Sequence, residues 1–171
     1  METVLITGAS SGLGYEFAKL FAEKGYDLVI SARREERLNS FKKSYPNISI
    51  EIIPCDLSLD GGAEYLYNKV MEKNITVNIL INNAGFGLFG EFKETDLKKE
   101  EEMINLNIKA LTGLTKLFLK DMLEKDHGKI LNVASIAAFQ PGPYMSIYYA
   151  SKAFVLSFTE ALRNELRNTK V

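Results

Sequence analysis

Cysteine occurs once in the sequence, histidine once, tryptophan not at all and proline only four times. A single cysteine, Cys55, excludes an intrachain disulfide and fits a reducing compartment, so a cytoplasmic location is expected. One histidine and one cysteine make no metal-ligating constellation, and no metal is expected. No apolar run approaches the roughly 18 residues of a membrane span. No basic or apolar leader is visible before the strand-like stretch that begins at Thr3, so no secretory signal is expected. The net charge of -1 lacks the basic excess that a nucleic-acid binder needs. What is present, 46% hydrophobic and 25% charged residues over 171 positions, suits one soluble domain with a real core.

Short apolar runs recur at Val4–Thr7, Leu28–Ser31, Ile48–Ile53, Val77–Ile81 and Lys129–Ala134. They are continuous rather than alternating, which predicts strands buried on both faces of a parallel sheet. Helical patterns separate them. Leu13, Phe17, Leu20 and Phe21 form one apolar stripe, closed by Gly25. Arg33–Ser44 reads as an exposed helix and Ser58 to Glu72 as a third. Thr95 or Asp96 caps a long helix running to Lys125, and a fifth runs from Tyr148 to Asn168. Alternating strands and helices predict an α/β, doubly wound (Rossmann-like) sheet with helices on both faces. Ligands of such folds bind beyond the carboxyl ends of the strands.

The first strand runs into Gly8-Ala9-Ser10-Ser11-Gly12-Leu13-Gly14 and then a helix. Glycines there let the backbone approach a phosphate, and the helix amino terminus favours the anion. A tight turn without a ligand is the plainer alternative. The spacing Gly-x-x-x-Gly-x-Gly resembles the cofactor turn of the short-chain dehydrogenase/reductase family, in its single-domain branch. Asn82-Asn83-Ala84-Gly85 after the fourth run, Asn107, Ser135 and the pair Tyr148/Lys152 extend the resemblance over the whole chain. The resemblance implies a dinucleotide site formed by Gly8, Ser10, Ser11, Gly12, Leu13, Gly14, Asp56, Leu57, Asn83, Ala84 and Gly85, with Tyr148 and Lys152. Asn82 reads as structural.

Dinucleotide folds often place an acid after the second strand to hold the ribose 2′-hydroxyl. Here that strand ends in Arg33-Arg34. Guanidinium groups suit a 2′-phosphate, so NADP(H) is expected over NAD(H), with Arg33 the main contact and Arg34 the second. Pairing of both arginines with Glu35 and Glu36 is the alternative. Asp56 either binds the adenine amino group, as the resemblance implies, or caps the helix expected at Ser58. Cys55 reads as a small buried residue rather than a reactive thiol.

Tyr148 and Lys152 stand four apart, on one helical face. A nearby ammonium favours the phenolate of a tyrosine, the tuning that acid–base work at a carbonyl requires. Tyr149 is rotated about 100° away. Ser135 follows the fifth strand, placed to donate to a substrate oxygen. Asn107 is a polar residue in an apolar helix and needs a partner. The resemblance gives these four the roles of a tetrad. Tyr148 is the acid/base, Lys152 tunes it and holds the nicotinamide ribose, Ser135 orients the substrate oxygen, and Asn107 holds a relay water. The implied activity is hydride transfer between NADP(H) and a small carbonyl or alcohol. A nucleotide-binding module without turnover is the competing reading; a flavodoxin-like domain would leave Tyr148/Lys152 unexplained.

Three smaller expectations complete the reading. His127 is expected to cap carbonyls at a helix end. Pro141-Gly142-Pro143 reads as a rigid loop. Ala110, Leu114 and Leu117, with Phe154 and Ala161, exceed what one buried stripe needs, so either a homodimer or homotetramer interface or neighbouring helices of the same chain should cover them. Residues 1–171 are read as one dinucleotide-binding domain carrying the tetrad. A complete doubly wound sheet orders six strands. At about 30 residues per crossover unit, about 60 further residues forming a substrate-covering part are expected beyond Val171.

Overall fold

Side chains alternate across a strand, and here both sets are apolar. The computed structural model describes residues 2–171. Strands β1 (Thr3–Thr7), β2 (Asp27–Ser31), β3 (Ile50–Ile52), β4 (Ile79–Asn82) and β5 (Lys129–Asn132) form one parallel sheet in the order β3-β2-β1-β4-β5. Helices α1 (Gly12–Glu23), α2 (Glu35–Ser44), α3 (Gly62–Glu72), α4 (Leu97–Ile104), α5 (Leu111–Glu124) and α6 (Ser146–Glu165) connect and follow them. Leu5, Val29 and Leu80 pack with Leu66 and Val70 of α3 and Leu114, Phe118 and Met122 of α5. Val4, Ile6, Leu28, Ile30, Ile79 and Ile81 pack on the opposite face with Ala18 and Ala22 of α1 and Leu38 and Phe41 of α2. This is the doubly wound architecture expected from the alternation. β5 departs from it: Lys129 and Leu131 are exposed, so only one side of this edge strand is well covered.

Several local expectations are corrected. The stripe on α1 faces the sheet only in part: Phe17 and Phe21 pack against the core, but Leu13 is 63% exposed and Leu20 is exposed too, and the buried positions are Gly14, Ala18 and Ala22. The short turn from β1 brings α1 close to the sheet, so small side chains fit beneath it while Phe17 and Phe21 pack at its flank. α2 begins at Glu35, leaving Arg33 and Arg34 outside the helix. α3 begins at Gly62 rather than Ser58. The Asp56 carboxylate accepts from the Ser58 N–H (3.0 Å) and hydroxyl (2.6 Å), closing a local turn instead of capping a helix. Asp96 does cap α4, accepting from the N–H groups of Lys98 (2.7 Å) and Lys99 (3.3 Å). The long helix is interrupted by one π-helical turn, Asn105–Ala110, which periodicity did not reveal. α6 begins at Ser146 and ends at Glu165. β3, β4 and β5 are shorter than, or shifted from, their apolar runs.

His127 caps nothing with its ring; Nε2 lies 2.7 Å from the Glu2 carboxylate, a pairing between segments far apart in sequence. Ala110, Leu111, Leu114 and Phe118 are buried in this chain's own core. Phe154 and Ala161 on α6 remain exposed, with Phe154 stacked on Phe158 at 5.7 Å. Among the described residues, no helix is long and apolar enough to cross a membrane. A test of the α1 packing separates the two stripes. Ala18→Leu should destabilise by about 1–3 kcal/mol through overpacking. Leu13→Ala should change urea unfolding by no more than about 0.5 kcal/mol.

Candidate active site

In a sheet ordered this way, the connections from β1 and β4 leave in opposite directions and open a crevice at their carboxyl ends. The structure has a cleft of about 660 Å³ there, within the usual range for small-molecule sites. Gly8, Ser10, Ser11, Gly12 and Leu13 line it from the first turn, and Arg33 and Arg34 from beyond β2. Asp56 and Leu57 line it from beyond β3, Asn83, Ala84 and Gly85 from beyond β4, and Tyr148 and Lys152 from α6. Gly14, Asn107 and Ser135 are not part of this lining.

Gly14 acts from behind the cleft. A Cβ there would collide with the Gly8 carbonyl oxygen. Gly8 itself has φ +69°, and its Cβ would lie 2.9 Å from the Asn83 amide nitrogen. The turn is thus pressed against the β4 tip and can take no side chain at either point. Thr7 and Asn83 fasten it. The Thr7 hydroxyl oxygen accepts from the N–H groups of Asn83 (3.0 Å) and Ala84 (3.1 Å), and Asn83 Nδ2 donates to the Thr7 carbonyl (3.0 Å). Asn82 points inward and donates to Thr115 (3.0 Å) and Asn132 (2.9 Å), the structural role expected of it.

At one end of the cleft, Arg34 Nη2 donates to the hydroxyls of Ser10 (3.1 Å) and Ser11 (2.7 Å). Arg33 lies 3.9 Å from the Asp56 carboxylate. Glu35 and Glu36 are partners of neither arginine in the ion pairs of the described residues, so both guanidinium groups stay with the cleft. Burial pulls the Asp56 carboxyl up, but the Ser58 hydrogen bonds and the Arg33 charge outweigh it and hold it below the usual carboxylate range. Burial, with the Asp56 charge beside it, pushes the Cys55 thiol up to about 11, so it is protonated and unreactive at neutral pH. The Ser31 hydroxyl, in the cleft wall, is buried and finds no hydrogen-bond partner among the described residues.

At the other end, the π-helical turn carries Asn107, which is 1% exposed. Its Nδ2 donates to the Phe86 carbonyl (2.9 Å) and to Ser151 Oγ (3.0 Å), and its Oδ1 accepts from the Phe86 N–H (3.1 Å). Ser151 is fully buried and donates to the Tyr148 carbonyl at 2.7 Å. Lys152 Nζ donates to the Val133 carbonyl at 2.8 Å and lies 6.0 Å from the centre of the Tyr148 ring. Burial pulls the Lys152 pKa below that of an ordinary lysine. A Cβ on Gly85 would fall 2.9 Å from Asn107 Oδ1 and 3.5 Å from Lys152 Nζ. Gly85 therefore keeps open a small polar gap that both groups face.

Ser135 lies at the start of a 3₁₀ turn, Ile136–Phe139, where its hydroxyl accepts from the Ala137 N–H at 3.1 Å and keeps its own hydrogen to donate. Tyr149 turns away and packs its ring on Gly142. Phe86 and Gly87, which follow the β4 tip, line the cleft as well. Ser151 was not legible beforehand: it bears only the weak signal of a serine three residues after a tyrosine on a helix.

A parallel sheet with a glycine turn at its switch point, and a tyrosine and a buried lysine facing the same cleft, is an arrangement suited to a dinucleotide ligand. Comparison with known proteins gives the family. The short chain dehydrogenase profile matches residues 2–171, and the chain belongs to that family, whose members use a nicotinamide cofactor. It is 36% identical over 172 residues to the uncharacterized oxidoreductase DltE of Bacillus subtilis, covering 99% of this chain and 68% of DltE. It is 35% identical to a very-long-chain 3-oxoacyl-CoA reductase of Pyrenophora tritici-repentis, covering 95% of this chain but only half of that protein. The short-chain dehydrogenase of Sphingobium yanoikuyae in complex with NADPH superposes with a TM-score of 0.90 at 36% identity, over 98% of this chain and 66% of that one.

The Asn107–Ser151 link has a measurable weight. Ser151→Ala strands one buried Asn107 N–H, so urea unfolding should show a loss of about 1–3 kcal/mol. Hydrogen exchange at the Phe86 amide should quicken with it.

Proposed function

We propose that the protein transfers a hydride between NADP(H) and a small carbonyl or alcohol substrate, with Tyr148 as general acid/base. The observation that carries this reading is Tyr148 and Lys152 lining the cleft on one turn of α6, with Asn107 buried behind them. A module that only bound nucleotide would have no use for a phenol held on the cleft beside that lysine, whose charge favours the phenolate. When bound, the cofactor supplies or accepts the hydride, which is chemistry no side chain of this protein can provide.

Tyr148 gives its phenolic proton to the carbonyl oxygen in reduction and takes the alcohol proton in oxidation. Lys152, fixed by the Val133 carbonyl, presents its remaining N–H groups to the nicotinamide ribose and places a positive charge beside Tyr148. Ser135 donates to the substrate oxygen. Asn107 Oδ1 and Lys152 Nζ hold a water in the gap kept by Gly85, and that water returns protons toward Tyr148. The Gly8–Gly14 turn would hold the cofactor phosphates, since glycine there lets the backbone come close and the α1 amino terminus favours an anion. Asp56, which Ser58 orients, takes the adenine amino group. In the reverse of the order expected from the sequence, Arg34, which reaches the Ser10 and Ser11 hydroxyls, would be the main holder of the 2′-phosphate, and Arg33, drawn toward Asp56, the second. The α6 face that carries exposed Phe154 stacked on half-buried Phe158 contributes to a homodimer or homotetramer, and the chain works in the cytoplasm.

Two measurements test this. NADPH should bind more tightly than NADH in fluorescence titration. Arg34→Ala should lose about 10- to 100-fold in NADPH affinity, as for a charge-assisted hydrogen bond, with little change for NADH, and Arg33→Ala should lose less. Tyr148→Phe should retain NADPH binding and lose about 10²- to 10⁴-fold in carbonyl reduction. Full activity in that variant would overturn the mechanism.

A further inference from the structure

Tyr148 lies in the first turn of α6, where backbone N–H groups have no partner within the helix and the helix frays first. Met145, at the N-cap, does not close that end with its side chain. A tyrosine placed there needs its ring held from elsewhere. A circuit of contacts does so. On the ring side, a Cβ on Gly87 would lie 3.1 Å from Cδ2 and 3.2 Å from Cγ of Tyr148, so the Gly87 backbone is seated against the ring. The preceding residue, Phe86, is gripped at both backbone groups by Asn107: its N–H donates to Oδ1 at 3.1 Å, and its carbonyl accepts from Nδ2 at 2.9 Å. Asn107 Nδ2 also donates to Ser151 Oγ at 3.0 Å. The Ser151 hydroxyl then donates to the carbonyl of Tyr148 itself at 2.7 Å. The circuit starts on the Tyr148 ring and ends on the Tyr148 backbone.

Ser151 is the link that closes it. It is fully buried and does not line the cleft. A hydroxyl has one hydrogen, and this one is committed to Tyr148, so toward Asn107 it can only accept. Lys152, the next residue, is anchored separately by the Val133 carbonyl. We propose that Ser151 is a positioning residue: by closing this circuit it fixes the rotation of the Tyr148 phenol toward the reacting oxygen, while touching neither substrate nor cofactor. This inference rests on the reading of the protein as a carbonyl reductase with Tyr148 as acid/base.

The test compares the full chain with its Ser151→Ala and Ser151→Cys variants, using NADPH and a panel of aldehydes and ketones led by 4-nitrobenzaldehyde, at a temperature where circular dichroism shows each folded. Ser151→Ala should lower kcat by about 10- to 100-fold, the cost of a misplaced reacting group. KM and NADPH affinity should stay within about threefold, because Lys152 keeps its own anchor. Ser151→Cys, whose thiol is a weaker donor and acceptor, should fall between the two, and it carries the comparison if Ser151→Ala does not fold. In parallel, ¹⁹F NMR of protein labelled with 3-fluorotyrosine follows the ring without cofactor or substrate, the Tyr148 signal being the one lost in Tyr148→Phe. That signal should be single and narrow in the unaltered chain and broad or split in Ser151→Ala. Gly87→Ala, which presses on the ring from the other side, should disturb it likewise. An unchanged kcat or an unchanged Tyr148 signal in folded Ser151→Ala would overturn the proposal. So would kcat, substrate affinity and NADPH affinity falling together, the sign of general loosening. NADPH binding without turnover of any carbonyl would instead overturn the reductase reading, and the Tyr148 signal would still decide whether Ser151 holds the ring.

Discussion

The knot between Thr7 and Asn83 is the constraint on which the site depends. At the switch point of a doubly wound sheet, two neighbouring strands part company, and their last backbone groups lose their ladder partners. Here the Thr7 hydroxyl and the Asn83 amide replace the missing ladder, at 3.0 and 3.1 Å. The replacement holds the glycine turn against the β4 tip closely enough that Gly8 and Gly14 can carry no side chain. The crevice is therefore preformed, with both walls fixed by the same few hydrogen bonds.

A second set of polar contacts carries this order to the reactive end. Asn82 reaches Asn132, Asn132 Nδ2 donates to Thr159 on α6 at 3.1 Å, and Lys152 on the same helix donates to Val133. α6 is thus pinned to the tips of β4 and β5 by directional bonds, which fix rotation as well as distance. Asn107 completes the frame from the opposite side, gripping both backbone groups of Phe86 and reaching Ser151. It can do so because the helix widens into one π turn at that point, which rotates the residue inward relative to a regular α-helix. A buried amide with every N–H satisfied costs little, and one left unsatisfied would loosen the helix that carries Tyr148.

Much of this was legible beforehand, for identifiable reasons. Continuous apolar runs predicted strands covered on both faces, and β1, β2 and β4 are so covered. The Gly8–Gly14 spacing, the Asn82–Gly85 tip and the Tyr148/Lys152 interval marked the cleft because each is a local pattern on one element. The errors were also physical. The α1 stripe of Leu13 and Leu20 obeys helical periodicity, yet the helix turns Gly14, Ala18 and Ala22 to the sheet, because closeness of packing rather than hydrophobicity chose the face. Asp56 preferred its own Ser58 to a helix cap. His127 found Glu2, a partner 125 positions away that no local rule suggests.

Sequence by itself determined the class of fold, the family, and which residue types stand at each strand tip, because these depend on periodicity and on short motifs. Only the tertiary structure decided which of those residues meet. It turned Arg34 across to the Ser10 and Ser11 hydroxyls, set Asn107 on a π turn behind the cleft rather than in its wall, and drew in Ser151 and the Phe86 backbone. It also placed Tyr144 in a left-handed conformation against Phe89. These are contacts between segments distant in the chain, and their geometry follows from how helices seat on the sheet, which no local pattern encodes.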